Sequence, residues 1–277
     1  MKNITLGRYI PYDTIIHKLD PRTKLLGLLG LLICVFLDVS YLGYIFLAIV
    51  IIFLLKMSKI RILSIFKSLK PMWFMMLFLL FFNIILIRTG DVAFTIFGYG
   101  IYTKALLQTL QIIVRLALMI SITTILTATT KPLDLTYGIE YFMSPLKVVK
   151  FPAHEIAMTI SIALRFIPTL LEETDKIIKA QASRGVDLQQ GKLKEKVNAI
   201  ISLIIPLFIS SFQRSEELAN AMEARGYNPS GKRTRYRIMK FTWSDLWAII
   251  ILTVVIVLTI FLINNPNLLQ GVFLWLG

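Results

Sequence analysis

Two stretches of this chain end alike. Residues 180–192 read AQASRGVDLQQGK and residues 221–233 read AMEARGYNPSGKR, so small residues, an Arg-Gly pair and a polar loop closing on Gly-Lys recur at an interval of 41 positions. The chemistry on offer is recognition rather than bond making: a guanidinium is a planar fork of donors that can hold carboxylates or carbonyls two at a time. Leu218, Ala221, Met222 and Arg225 fall at i, i+3, i+4 and i+7, one face of a helix, and Ile177, Ala180, Gln181 and Arg184 repeat the spacing. Gly185 and Gly226 stand where a left-handed C-cap belongs. Glu172, Glu173 and Asp175, then Glu216 and Glu217, precede the arginines, and acid early with Arg late suits the helix dipole. A terminal Arg answering its own dipole explains one such ending. Two of them, each with Arg on the small-residue face, favour insertion into a groove on a partner. The candidate contact residues are Ala182, Ser183, Arg184 and Gly185 in the first ending and Glu223, Ala224, Arg225 and Gly226 in the second.

Other constellations fail on inspection. GYNPSGK (226–232) begins like the phosphate-cradling loop G-x-x-x-x-G-K-[ST], but Arg233 follows where a hydroxyl must bind Mg²⁺, and a helix precedes it where a strand is required. Pro229 argues for a plain turn. In the earlier copy five residues separate Gly185 from Gly191, and Lys192 is followed by Leu193. The chain is therefore not its own ATPase. Glu172-Glu173 resembles the glutamate pair of some membrane-embedded proteases, but Lys176 and Ile177 stand where those motifs need an arginine. No Gly-x-Ser-x-Gly elbow or His-Glu-x-x-His occurs. A lone Cys34 makes no intramolecular disulfide, and His17 and His154, far apart, read as buried or capping residues. No catalytic residue, metal site or cofactor is expected in this chain.

The elements that carry the two endings follow from composition. Of 277 residues 56% are hydrophobic, above the roughly 45–50% of soluble domains, and the net charge is +14. An all-α integral membrane protein is expected, since lipid offers no partner for free backbone groups. Lys and Arg flank the apolar runs rather than forming one stripe, which marks cytoplasmic loops and speaks against nucleic acid. Five spans are predicted, at about 25–37, 39–55, 71–87, 105–129 and 246–263, with a turn at Asp38 and Ser40. Loop 56–70 holds Lys56, Lys59, Arg61, Lys67 and Lys70 without an acid, so it is cytoplasmic; loop 88–104, poor in charge, is external. Helix parity then puts the N-terminus and residues 131–245 inside and the uncharged tail 264–277 outside. The domains expected are 1–130 in the membrane, 131–240 cytoplasmic, and 241–277 a last span with its tail. The N-terminus carries no cleavable signal. Arg115 interrupts the fourth span: near a helix end it snorkels, and deep in the membrane it needs a partner.

Residues 131–245 are too long for a loop and too apolar for a disordered tail. Helices are predicted at about 133–144, 153–184 and 193–225. The last two begin greasy and end amphipathic. They read as helices at or just under the membrane surface; two further spans are the alternative, which parity permits.

HKLDPRTKLL (17–26), FPAHEIAMTISIALRFIPTLLEETDKIIKAQASRGVD (151–187) and AMEARGYNP (221–229) resemble the transmembrane T component of energy-coupling factor transporters, the EcfT/CbiQ family. The resemblance covers most of the chain; Ser183 departs from an Ala-Arg-Gly signature. It implies a non-catalytic scaffold of an ABC-type importer for vitamins or related micronutrients, sited in the cell membrane. Its coupling helices would cross, Arg184 and Arg225 would dock into two ATPase subunits, which bind the ATP and Mg²⁺, and the other faces of those helices would hold a membrane-embedded substrate-binding S component. Met158, Ile162, Leu203 and Leu207 are the residues expected to face that component. Pro168 and Pro206 would permit kinks between the membrane-lying and docking portions, and Met143, Met158 and Met222 would repack easily. A stand-alone secondary transporter or channel is the alternative, but no acidic residue sits deep in a clean span.

Overall fold

The computed structural model describes residues 9–37, 41–87, 89, 92–96, 99–149, 151–185, 193–228, 239 and 241–264. The helices are α1 (Ile15–Lys18), α2 (Pro21–Phe36), α3 (Tyr41–Met57), α4 (Ile62–Leu69), α5 (Trp73–Leu86), α6 (Thr103–Thr129), α7 (Pro132–Met143), α8 (Ala153–Ser183), α9 (Leu193–Ala224) and α10 (Trp243–Asn264). Two compact units emerge, Met1–Pro145 together with Met239–Gly277, and Leu146–Ile238.

In the first unit the expected spans are all helical. Asp20 caps α2 by accepting the Arg22 N–H at 2.9 Å, and Pro21, which has no N–H to lose, opens it. Its apolar residues pack with α3, α6 and α10 into a core that includes Cys34, Val35, Leu47, Ile51, Leu118, Ile122 and Val255. At the end of α3 the Ile60 N–H reaches Leu55 O (3.2 Å) and the Lys59 N–H reaches Lys56 O (3.1 Å), with Lys59 at φ 56° where glycine is usual. The turn expected at Asp38 and Ser40 and the tail beyond Asn264 lie outside the described residues.

Three features differ from expectation. The third span starts earlier, because α4 and a 3₁₀ turn at Lys70–Met72 lead into α5 and give a helical segment Ile62–Leu86 of 25 residues. The loop between α5 and α6 contains a hairpin, β1 (Val92–Ile96) paired antiparallel with β2 (Tyr99–Tyr102), with a bulge between Val92 and Phe94. Its β-branched and aromatic residues are the physical reason, since they fit a pleated surface. Finally, the unit boundary falls at Pro145 rather than at 131, and the C-terminal helix returns to the first unit. Helix α7 stays with α2 because Gly138 lets the backbones approach: a Cβ there would lie 2.6 Å from Leu25 Cδ1 and 3.4 Å from Pro21 O.

In the second unit α8 and α9 pair with each other. By length and composition five segments qualify to cross a membrane: Ile62–Leu86, α6, α8, Lys194–Ala224 of α9, and α10. Helices α8 and α9, expected at the surface, thus also reach crossing length, with mean hydropathies of 1.3 and 1.5 against 3.2 for α10. Helices α2 and α3, at 16 and 17 residues, are the short ones.

Candidate functional site: two glycine-capped arginine tips on a helix pair

Each Arg-Gly ending is a helix C-terminus closed by a left-handed glycine. Gly226, at φ 71°, donates its N–H to Glu223 O (2.8 Å), and the Tyr227 N–H reaches back to Met222 O (3.0 Å), which completes a Schellman motif. Gly185, at φ 80°, donates to Ala182 O at 3.0 Å. Among the described residues, nothing beyond the chain neighbours lies within 4 Å of where a Cβ would sit on either glycine, so backbone conformation, not space, requires glycine there. The caps stop each helix one residue past its arginine's turn. Ala182, Ser183, Arg184 and Gly185, and likewise Glu223, Ala224, Arg225 and Gly226, are all exposed. The polar loops that follow, 186–192 and 229–238, lie outside the described residues.

Three side-chain contacts set how the helices run. Gln181 Nε2 donates to Ser202 O at 3.2 Å, Arg214 Nη2 to Glu173 Oε2 at 3.2 Å, and the Tyr227 hydroxyl to Met158 Sδ at 3.3 Å. Late residues of α8 meet early residues of α9, and the reverse, so the pair is antiparallel along its length. The two arginines therefore stand at opposite ends of one unit, about 35–40 Å apart at 1.5 Å per helical residue. The half-buried ion pair Arg214–Glu173, at 3.2 Å, fixes the register of the two helices.

Both prolines lie inside continuous helices, Pro168 in α8 and Pro206 in α9. Each removes the N–H that would bond the carbonyl four residues back, at Leu164 and Ser202 respectively. The Ser202 hydroxyl turns to Ala199 O (2.8 Å), and its carbonyl receives Gln181 instead.

The residues expected to face a membrane neighbour lie beside a more open stripe. Met158, Ile162, Leu203 and Leu207 are half-buried. The exposed apolar face of α9 is instead Ile200, Ile201, Ile204, Ile205, Phe208, Ile209 and Phe212, each at least 46% accessible. The reason is geometric: residues 203 and 207 share the side of α9 that carries Ser202 toward α8, and the stripe spaced i, i+4, i+8 from Ile200 and Ile201 points away.

A second polar site, in the first unit, escaped sequence reasoning. Asp245 at the start of α10 is fully buried; its Oδ1 accepts the Asp20 N–H (2.7 Å) and its Oδ2 the Thr242 N–H (2.8 Å) and hydroxyl (2.6 Å). Nearby, Lys24, which precedes the apolar run of α2, donates to His17 O (3.0 Å) and Thr129 O (2.9 Å). Burial pushes its ammonium down to about 8, against the opposing pull of Asp134, Asp245 and Asp20. Arg22 lies over the rings of Tyr137 and Tyr141 of α7, at 4.6 and 4.0 Å. His17 is half-buried beside the cap residue of α1: Nδ1 pairs with the Thr14 hydroxyl at 2.6 Å and Nε2 with Ile10 O at 3.0 Å, and burial lowers its proton affinity. HKLDPRTK thus ties the starts of α2 and α10 to the end of α6. The signal in the sequence was the density of polar side chains just before a greasy run, but the partner 225 positions away could not be read. Arg115, deep in α6, has the partner its depth demands: Nε and Nη2 donate to the Tyr44 hydroxyl at 3.0 and 2.6 Å. Among the described residues no three metal-ligating side chains gather.

Comparison with known proteins agrees with this architecture. Residues 13–236 match the CbiQ family, described as cobalt transport protein. The energy-coupling factor transporter transmembrane protein EcfT of Bacillus subtilis (strain 168) is 42% identical over 262 residues, covering 95% of this chain and 99% of that protein. Proteins of the same description from Lactococcus lactis subsp. cremoris (strain MG1363) and Staphylococcus aureus (strain 04-02981) are 41% and 43% identical, covering 93% and 95% of this chain and 98% and 97% of their own lengths. A polytopic helical chain, with two exposed arginine tips on one helix pair and matched end to end by these relatives, belongs to the EcfT/CbiQ family of transmembrane components of energy-coupling factor transporters.

Proposed function

We propose that this chain couples two ATPase subunits to a membrane-embedded substrate-binding component in a micronutrient importer, and that it performs no chemistry itself. Arg184 and Arg225 dock into grooves on the two ATPases, with Ala182, Ser183 and Ala224 leaving room for close approach. The exposed Ile200–Phe212 face of α9 receives the substrate-binding component, because an apolar face holds a neighbour without fixing its direction. Nucleotide and Mg²⁺ belong to the ATPases; specificity for vitamins or related substrates belongs to the other component. The chain sits in the cell membrane with its N-terminus and both tips in the cytoplasm and its C-terminus outside, as the acid-free basic loop 56–70 favours.

The observation that carries this reading is the pair of exposed, glycine-capped arginines at opposite ends of one antiparallel helix pair. Two motors held about 35–40 Å apart need such a spacer. Purification of the chain from its native membrane should bring down two ATPase chains. Arg184→Ala with Arg225→Ala should leave the protein inserted yet free of them, since truncating a buried interfacial charge costs about 2–5 kcal/mol. Normal uptake by that double variant sinks the docking role, and a chain that transports while purifying alone supports a stand-alone carrier instead.

A further inference from the structure

We propose that Gln181 is a positioning residue that joins the α8 tip to the proline break of α9, so that the aim of Arg184 and the bend at Pro206 are one degree of freedom. This rests on the coupling reading above only for its consequence, not for its geometry.

The starting point is a vacancy. In an uninterrupted helix the N–H of residue 206 bonds the carbonyl of residue 202; Pro206 has no N–H, so Ser202 O is left without its intrahelical donor. The Ser202 side chain does not help, because its hydroxyl donates to Ala199 O at 2.8 Å. Gln181 Nε2 fills the vacancy from the other helix at 3.2 Å, and both residues are half-buried, so water competes less for the carbonyl than it would at an open surface. Gln181 lies three residues before Arg184, on the same face and one turn away. Any opening of α9 at its break must withdraw Ser202 O from Gln181, and any roll of the α8 tip must withdraw Gln181 from Ser202 O. Near the other tip the Tyr227 hydroxyl donates to Met158 Sδ at 3.3 Å, a contact through side chains alone.

The test is a cycle in the complete complex, the chain with its ATPases and substrate-binding component, reconstituted in proteoliposomes. The members are wild type, Gln181→Met, Pro206→Ala and the double variant. Spin labels at Lys179 and Gln213, both exposed and outside the Ile200–Phe212 face, report the distance between the two elements, and substrate taken up per ATP hydrolysed reports coupling. Gln181→Met should broaden the distance distribution and lower the coupling ratio about 3- to 10-fold, as expected for one hydrogen bond. In the Pro206→Ala background, where residue 206 supplies its own N–H to Ser202 O, the same change should have no effect. Gln181→Lys, which keeps a donor, should restore most of the wild-type behaviour. Equal losses in both backgrounds overturn the proposal, and so does loss of the ATPases from the purified Gln181→Met complex, which makes Gln181 a docking residue. A distance cycle that behaves as expected while uptake ignores it supports the joint and sinks the coupling reading.

Discussion

Asp245→Ala should be among the most damaging single changes in the first unit. The carboxylate is fully buried and accepts three hydrogen bonds, from the Asp20 N–H at 2.7 Å and from the N–H and hydroxyl of Thr242 at 2.8 and 2.6 Å. The losses are unequal. Thr242 is exposed, so its freed donors find water; what goes is the carboxylate's hold on Thr242 at the start of α10, about 0.5–2 kcal/mol. Asp20 is buried, so its N–H is left without any acceptor, about 1–3 kcal/mol. Together the loss is about 2–5 kcal/mol. Thr242→Ala removes the hydroxyl bond alone and should cost no more than the first of these losses. Thermal unfolding of the purified chain in lipid nanodiscs, followed by the fluorescence of Trp243 and Trp247 beside the clamp, reads the difference. Were Asp245→Ala no worse than Thr242→Ala, the bond to Asp20 would contribute nothing and the tie between α2 and α10 would be wrong.

Further outcomes follow from the same reasoning. Tyr44→Phe removes the oxygen that takes two guanidinium donors from Arg115 and should destabilise the α3–α6 contact by about 1.5–3 kcal/mol, visible in the same unfolding assay. Gly138→Ala drives a methyl into Leu25 and toward Pro21 O, and should loosen α7 from α2 at a cost of about 1–3 kcal/mol, read as faster amide exchange in α7. Gly226→Ala forces a side chain into the left-handed region, about 1–2 kcal/mol, and should fray the last turn of α9 by the same measurement. His17 binds its proton less readily in the folded chain than its usual 6.5, so the unfolded state holds more protons between the two values and stability should fall as pH drops through that window; His17→Gln should flatten the slope of unfolding temperature against pH there.

The helices were legible because each rests on a local signal. Apolar runs marked α2, α3, α5, α6 and α10, and Gly185 and Gly226 marked where α8 and α9 stop, both glycines having the positive φ that a left-handed cap demands. The arginine tips could be found for the same reason: Arg, small residues and glycine lie within one helical turn. What could not be read was everything settled by distant pairs. Nothing near Gln181 says that its acceptor is a carbonyl 21 residues on, or near Asp245 that its donor is Asp20. On α9, periodicity gives the stripes but not which of them α8 covers. The hairpin was missed for another reason. Low charge in 88–104 speaks to the side of the membrane and not to the backbone, whereas the hairpin's own signal is the β-branched and aromatic content of VAFTI and YGIY.

The opposed directions of α8 and α9 have a mechanical corollary. Equal pulls applied inward at the two capped ends act along nearly the same line and load the helices at Pro168 and Pro206, where a backbone hydrogen bond is missing. Equal pulls applied sideways and oppositely form a couple, with an arm of half of about 35–40 Å on each side. Such a couple sums to zero thrust on the surrounding lipid and leaves pure torque about the midpoint of the rods. A greasy stripe along α9 would then be swung like the crossbar of a tap rather than driven like a piston.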